Sequence, residues 1–487
     1  MDEVEDLGDR NMPAKELSPI DVYKLLPKTN CKECAEPNCM SFAARLVARE
    51  AVLTQCPAIL QDKFKDAYNQ LWELLKPPVK AVEIGSGDEK AVIGGEYVVH
   101  RHEFTYFNPT VIAVDVDDEM TDADLAERVR KISEFRYNYI GQELKLDSIC
   151  IRSVSGDPKR LDSAVRQVMK NTRLPIVVAC TDPAVVEPAL AASSEKRPLI
   201  HAATRENWKE MADLALMYKC PLVVSAPHDL ALLRSMTKTL LDYGVSDLVL
   251  DPGTMPGDGF IDTLSDFTML RIGAIKEKDE TLGFPLLGTP IVAWQEKEVN
   301  PTLNEWKESY MASALISRYA DLLIIHGLDG WATLHTAFLR QNLYTDPRKP
   351  VSVEPGVRSF GKPDEYSPVM FTSNFALTYY TVASDIENSR MDAHLLVVDS
   401  EGISVESAIA GRKMTADTVA EAIKRYELEK KVRHKVIIIP GRAARISGEI
   451  EELTGWKTLV GPMDSSGIPK YLETRWKEEK DKIRSQT

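Results

Sequence analysis

Four of the seven cysteines in this 487-residue chain, Cys31, Cys34, Cys39 and Cys56, crowd into one short stretch in the pattern C-x2-C-x4-C-x16-C, with Pro57 directly after the fourth. Thiolates are soft anionic ligands, and four of them match the complement of a 4Fe-4S cubane, in which one tight loop wraps three corners and a more distant cysteine closes the fourth. Zinc is the competing metal, but four-cysteine zinc sites usually carry two C-x2-C pairs. Only one such pair occurs here and the next gap is x4, so the spacing favours the iron-sulfur cluster. In a reducing compartment, clustered cysteines also point to metal rather than to disulfides. Asn30, Lys32 and Asn38 flank the cysteines. A hydrogen bond from one of them to a cluster sulfur would tune its potential, although solvated loop polars are the plainer reading. Cys150, Cys180 and Cys220 lie in or beside apolar runs and read as small buried hydrophobes. A single cluster moves electrons, so another part of the chain should need them.

Three strand-to-helix turns late in the chain form a second candidate constellation. Thr372-Ser373-Asn374 through Thr378 ends an apolar run and begins a helical stretch, Gly402-Ile403-Ser404-Val405 occupies the next such turn, and Gly467-Ile468 precedes Pro469 at a third. In open α/β sheets such turns present backbone N–H groups and hydroxyls to a ligand. Taken alone, the second is equally an ordinary loop with Ser404 as helix N-cap, and the third is only a loop. Pro440-Gly441-Arg442 also opens a helix after a strand, but no Gly-Lys-Ser/Thr follows, which argues against a nucleoside triphosphate loop.

These residues need scaffolds. The pair Pro77-Pro78 ends the first segment, 1–76, which reads as short helices around the cysteines. Extended runs at 79–84 and 90–99, separated by Gly85-Ser86-Gly87-Asp88, read as a β-hairpin. From Thr110 onward, β-branched runs alternate with amphipathic stretches such as 122–135, 183–192, 205–218 and 304–319. The runs are 110–116, 148–154, 175–180, 199–204, 221–227, 247–251, 290–294 and 322–327. Eight strand-helix units over about 240 residues predict a (β/α)8 TIM barrel within 77–347, with a doubly wound sheet as the competitor. Polar residues gather at the strand ends, namely Asp115, Asp117, Thr181-Asp182, Thr204 to Asn207, His228-Asp229 and Asp251, where barrel enzymes place catalytic groups. A Pro- and Gly-rich passage, 349–368, reads as a linker or ordered loop. The last unit, 348–487, alternates again, with strands expected at 369–372, 394–399, 435–439 and 457–461 and helices between and after them. That pattern predicts a small α/β domain of flavodoxin-like or Rossmann-like type.

The totals set limits on partners. A chain of this length exceeds one compact core, so two or three domains are expected. The net charge of −14 excludes a nucleic-acid or anionic-membrane surface as the main partner. The opening Met-Asp-Glu-Val-Glu-Asp lacks the basic-then-apolar pattern of a signal peptide, and no apolar run approaches the roughly 18 residues that span a bilayer. A cytoplasmic location is the expectation.

Taken together the blocks carry a resemblance over essentially the whole chain. The cluster motif with Cys56-Pro57, the barrel, Tyr344-Thr345-Asp346-Pro347, Ser367-Pro368 with Thr372 to Tyr379, Asp399 to Val405, and Gly461-Pro462 to Pro469 follow in order. In these the sequence resembles the large (gamma) subunit of the corrinoid iron-sulfur protein, a component of the acetyl-CoA decarbonylase/synthase system of acetogens and methanogens. The resemblance implies a corrinoid of cobalamin type in the C-terminal domain. It takes a methyl group from a methyltetrahydropterin by way of a methyltransferase and passes it to the nickel-iron-sulfur site of the acetyl-CoA synthase subunit, while the cluster rescues oxidised cobalt. It also implies a small (delta) subunit as heterodimer partner, with the corrinoid gripped between two chains. Thr372 and Thr378 carry over as corrinoid contacts, with Ser373 in place of the family's usual second threonine and Asn374 in the same loop. Gly402, Ile403, Ser404 and Val405 carry over as neighbours of the nucleotide tail, and Gly467 and Ile468 as the third turn.

The histidine pattern agrees. Corrinoid domains of methionine-synthase type use Asp-x-His-x-x-Gly to ligate cobalt, and the nearest match here, Asp392-Ala393-His394, has Val397 where glycine is required. His394 therefore reads as a strand-end histidine, and His434 lacks the spacing altogether. The barrel is similar to pterin-binding methyltransferase barrels, yet within the resembled family that chemistry belongs to a separate protein, and a scaffold role is favoured. Two other readings stay open: a self-contained pterin methyltransferase with a structural cluster, and an electron-transfer subunit whose last domain binds flavin or nothing.

Overall fold

The computed structural model describes residues 17–295 and 300–486. The acidic opening residues considered above lie outside the described residues. The first helices, Pro19–Leu25, Cys39–Val47 and Lys65–Leu75, enclose a small core of Val22, Phe42, Leu46, Ile59 and Leu71. Ser18 caps the first of them by accepting from the Asp21 N–H, and Asn38 caps the second by accepting from the Ser41 N–H at 2.8 Å. Three short 3-10 turns between 53 and 64 carry the chain past Cys56 to the third helix.

Eight parallel strands follow in the order expected of a barrel: Val111–Asp117, Ser148–Arg152, Ile176–Ala179, Leu199–Ala203, Leu222–Ser225, Leu248–Asp251, Leu287–Gly288 and Leu322–Ile325. Each pairs with its sequence neighbour except at the seam between the sixth and seventh, which a single parallel bridge, Leu250 to Leu286, closes. Alternate strand residues face two cores. Val111, Ala113, Cys150, Val177, Val223, Val249 and Ile324 fill the interior, while Ile112, Val114, Ile149, Ile151, Val178 and Val224 pack under the helices. Cys150 is thus an interior barrel residue, and Cys220 is also buried, as expected of small hydrophobes, whereas Cys180 is half-exposed just past its strand.

The expected hairpin is present as Ala81–Ile84 and Ala91–Gly94. Its side chains Val82, Ile84 and Ile93 enter the interior core, so it plugs the N-terminal end of the barrel. Gly94 sits at φ +74°, where a Cβ would meet the Lys80 carbonyl at 2.5 Å, so only glycine allows this turn.

Two expectations need correction. The seventh strand is the two-residue Leu287–Gly288, and Pro290–Trp294 forms a 3-10 helix. Pro290 has no N–H to give a central strand, which ends the ladder before it. The passage 349–368 is not featureless: Gly356–Phe360 forms an edge strand antiparallel to Ala393–Val398. A second hairpin, Arg136–Tyr139 with Gln142–Lys145, rises between the first barrel helix and the second strand.

The C-terminal sheet runs Gly356–Phe360, Ala393–Val398, Val369–Ser373, Val436–Ile439, Lys457–Val460 across its width, and the last four strands are mutually parallel. Counting those four in chain order gives 2-1-3-4, the flavodoxin-like order, whose switch point lies between Val369–Ser373 and Val436–Ile439. No helix among the described residues is long and apolar enough to cross a membrane.

A buried pair ties the start of the seventh strand to the approach of the eighth. Asp321, ahead of the eighth strand, accepts from Arg271 at 2.6 Å and from the Leu286 N–H at 2.7 Å, and Arg271 also donates to the Tyr319 carbonyl. Both side chains are almost wholly buried, at 2% and 1% exposure for Arg271 and Asp321. Removing one partner leaves an uncompensated buried charge, so Asp321→Ala should destabilise the barrel by about 3–5 kcal/mol. Urea unfolding followed by circular dichroism should show that loss as a lower midpoint.

Candidate functional site

The cysteine loop is built from unusual backbone. Lys28, Asn30, Lys32 and Ala35 all adopt left-handed φ, between 48° and 65°. Closely spaced left-handed residues of this kind fold a chain into tight concavities, the geometry that polar backbone offers to anionic groups. The Asn30 side chain fastens the loop by accepting from the Cys39 N–H at 2.9 Å. Asn30 and Asn38 therefore brace backbone with their side-chain oxygens. Cys39 opens its helix, where the positive end of the dipole favours a thiolate. Cys31 is exposed, Cys34 half-buried, Cys39 and Cys56 buried. Burial pushes the Cys56 thiol above its ordinary value, nearby backbone N–H groups oppose that, and Cys34 and Cys31 lie close enough to add to it. No three Cys, His, Asp or Glu side chains among the described residues are closed to metal-holding distance. Four thiols on one folded loop and its neighbouring turn nonetheless supply a donor set suited to a cluster, whose binding would expel their protons.

The second site is a cavity of about 410 Å³ at the C-terminal ends of Val369–Ser373, Val436–Ile439 and Lys457–Val460, at the sheet's switch point. That volume falls within the usual range for small-molecule sites, about 300–1,000 Å³. Thr372, Thr378, Ser404, Val405 and Ile468 line it. Ser373, the next residue on the strand, is not among the lining residues; the Thr372 and Ser373 hydroxyls are both fully buried without a hydrogen-bond partner. Orphaned hydroxyls at a strand end are a mark of a ligand site, because each costs about 1–3 kcal/mol when left unpaired.

Asn374, Gly402, Ile403 and Gly467 do not line the cavity; they shape it. The Asn374 amide oxygen accepts from the Ser400 N–H, the Ser400 hydroxyl and the Gly402 N–H, and its amide nitrogen donates to Asp399. That one side chain pins the neighbouring loop. Gly402 holds φ +74° against Pro350, where a Cβ would come to 2.8 Å. Sequence reasoning missed Leu377, Thr381, Ile439, Pro440, Arg442 and Met463, which also line the cavity. The one signal that could have found some of them is the strand followed by Pro440-Gly441, which marks a strand-end turn even where no phosphate motif follows.

Among the described residues no histidine or cysteine lines this cavity. His394 and His434 lie at the opposite, N-terminal edge of the sheet. His394 Nδ1 meets the Ser359 hydroxyl at 3.1 Å, and His434 Nε2 meets the Ser367 carbonyl at 2.9 Å. Burial lowers the pKa of both.

Several of the barrel's strand-end polar residues are held by neighbouring side chains or backbone. Asp115, fully buried, is held by Arg128 at 3.0 Å, Arg152 at 2.7 Å and His326 at 2.7 Å. Burial opposes its ionisation, but these partners outweigh that and lower its pKa. Asp182 and Asp229 cap helices, Asn207 bridges the Thr204 N–H to the Thr181 and Ala202 carbonyls, and Asp251 accepts from Ser225 and Gly253. Such groups brace the barrel rim.

Comparison with known proteins points to one complex under two subunit names, delta for the family model and gamma for the relatives. Residues 81–472 match a family described as "CO dehydrogenase/acetyl-CoA synthase delta subunit", and residues 26–58 match one described as "Putative Fe-S cluster". The chain is 43% identical over 463 residues to the acetyl-CoA decarbonylase/synthase complex subunit gamma 2 of Methanosarcina thermophila, covering 94% of this chain and 98% of that one. It is 42% identical over 458 residues to the gamma subunit of Methanothermobacter thermautotrophicus, covering 94% and 99%. Against the gamma subunit of Archaeoglobus fulgidus the identity is 43% over 465 residues, covering 94% and 98%. Among solved structures, dihydropteroate synthase of Thermus thermophilus aligns with 54% of this chain and all of its own at 16% identity and a TM-score of 0.37.

One rim residue gives a pH signature. Glu308 accepts from the His326 and Gly327 N–H groups at 2.6 and 2.7 Å, yet burial raises its pKa to about 7. Its neutral form stabilises the fold fully below the ordinary glutamate pKa, and that contribution is lost as pH rises through about 7. The loss should reach about 3 kcal/mol. Thermal midpoints from pH 5 to 8 should therefore fall more steeply for the parent than for Glu308→Gln.

Proposed function

The chain belongs to the gamma-subunit family of the acetyl-CoA decarbonylase/synthase complex, and from that premise we propose that it is the complex's large corrinoid iron-sulfur subunit, a cytoplasmic methyl carrier. Its work divides among three units, 1–76 for the 4Fe-4S cluster, 77–347 as barrel scaffold and 348–487 for the corrinoid. The observation that carries this reading is the switch-point cavity, whose lining includes the buried, unpartnered hydroxyl of Thr372.

A corrinoid, when bound, supplies a cobalt nucleophile that accepts a methyl group and hands it on, and the 4Fe-4S cluster supplies the electron that restores oxidised cobalt. The chain's own residues do the rest. Thr372 offers its hydroxyl to the ligand, with Thr378 and Ser404 on the facing helix starts. Asn374 fixes the 399–402 loop so that Ser404 and Val405 stay at the rim. The apolar walls of Leu377, Val382, Ile438 and Ile439 exclude water from the buried face. Cys31, Cys34, Cys39 and Cys56 hold the cluster, and the ion pair of Glu50 with Lys349 at 2.7 Å and the stacking of Arg49 on Tyr97 connect that module to the rest of the chain. Partners follow from the role: a small (delta) subunit that covers the corrinoid, the acetyl-CoA synthase subunit that receives the methyl group, and a methyltransferase that delivers it from a methyltetrahydropterin. The mutual bracing of the barrel's rim residues favours a scaffold over a pterin site of its own.

Metal analysis of this chain purified anaerobically with its small (delta) subunit, apart from the acetyl-CoA synthase subunit, tests this directly. About four irons and about one cobalt per chain are expected, with the broad visible absorbance of an iron-sulfur cluster beneath the corrinoid bands. The double substitution Cys34→Ser with Cys56→Ser should abolish the cluster absorbance and leave cobalt in place. Flavin absorbance, or a complete complex free of cobalt, would reject the reading.

A further inference from the structure

The hairpin Arg136–Tyr139 with Gln142–Lys145 has no place in a minimal barrel, and it is held firmly to it. Tyr139 packs edge-on against Phe338 with ring centroids 4.7 Å apart, and Arg340 donates to the Lys145 carbonyl at 2.8 Å. Across the hairpin Arg136 pairs with Glu143. The two-residue tip, Ile140-Gly141, has both residues in left-handed conformation, φ 48° and 71°. That is the backbone of a type I′ turn, which Asn-Gly normally fills. Isoleucine there is strained, since a β-branched side chain opposes positive φ, and strain of this kind collects where a shape is needed.

The shape has a partner in the C-terminal unit. Tyr380, on the helix Ala376–Asn388, rests its ring end over Gly141, so that a Cβ on Gly141 would lie 1.8 Å from the tyrosine oxygen. Around this touch a cleft of about 670 Å³ separates the hairpin residues Asn138 and Ile140 from Phe360, Tyr379 and Tyr380. The meeting is thus a close touch beside an open gap. Leu377 and Thr381 of the same helix line both this cleft and the ligand cavity. The helix therefore has the cavity on one side and the barrel's hairpin on the other.

The geometry points to a reversible latch: the glycine tip of the hairpin receives Tyr380 and holds the ligand-bearing sheet against the barrel in one orientation, and its release frees that sheet to move. The contact itself stands on the structure, and its use in presenting a bound corrinoid to successive partners rests on the function proposed above. A contact this small suits a latch, because it can open without unfolding either side.

Tyr380→Ala and Gly141→Val separate the latch from the cavity, since Gly141 sits on the barrel's hairpin and does not line the cavity. Both should raise the rate of limited proteolysis within 349–368 severalfold and increase the radius of gyration measured by small-angle scattering of the anaerobic complex. Cobalt content should match the parent in each. Tyr380→Phe, which keeps the ring, should behave as the parent. Unchanged proteolysis and unchanged scattering in both disruptive variants would overturn the latch. So would cobalt loss in Tyr380→Ala together with parental behaviour of Gly141→Val, which would make Tyr380 a cavity wall. A cobalt-free parent would sink the proposed function while leaving the proteolysis and scattering comparison intact.

Discussion

Two hydroxyls that find no partner inside the protein govern the C-terminal half of this molecule. Thr372 and Ser373 end the strand beside the switch point, both are buried, and neither oxygen is hydrogen-bonded. Unfulfilled polar groups at such depth are unfavourable by about 1–3 kcal/mol each, so the surrounding fold must hold them there against that penalty. It does so with the sheet's inner core of Phe371, Leu396, Val398, Ile437 and Ile439 and with Asn374, whose side chain stitches the next loop in place. A ligand that accepts or donates to these hydroxyls turns the penalty into affinity.

The remaining parts serve that position. The barrel is closed by the Leu250 to Leu286 bridge, plugged from below by Val82, Ile84 and Ile93, and braced at its rim by the Asp115 cluster. Several of its polar strand ends, which in many barrels form active sites, are here held by neighbouring side chains or backbone. The cysteine module rests on a short core of its own, and its left-handed loop residues give the four thiols a tight frame. Cysteine module, barrel and cavity thus occupy distinct stretches of one chain.

Much of this is legible from residue order because the relevant signals are local. The C-x2-C-x4-C-x16-C spacing, the repeated β-branched runs and the Thr372 to Thr378 turn each report on short-range structure, and the barrel and the open sheet appear where those runs stand. Elements defined by long-range pairing escape such a reading. Gly356–Phe360 has only two apolar side chains and exists because Ala393–Val398 offers it an edge. Hydrophobicity alone points to Pro290–Trp294 as the seventh strand, although the proline forbids a ladder there and the strand itself, Leu287–Gly288, lies just before it. The roles of Asn374, Gly402 and Gly467 as shapers of the cavity rather than lining residues depend on contacts with Ser400, Pro350 and Pro462, which no spacing reveals.

Thr372→Val keeps the shape of the side chain and removes its hydroxyl, so it tests the central claim with least disturbance. If the orphaned hydroxyl exists for a ligand, the variant should unfold at a higher temperature than the parent when both are stripped of cobalt, and should lose corrinoid faster than the parent when both are loaded in the assembled complex. Equal corrinoid retention, with no gain in stability of the stripped protein, would contradict the account.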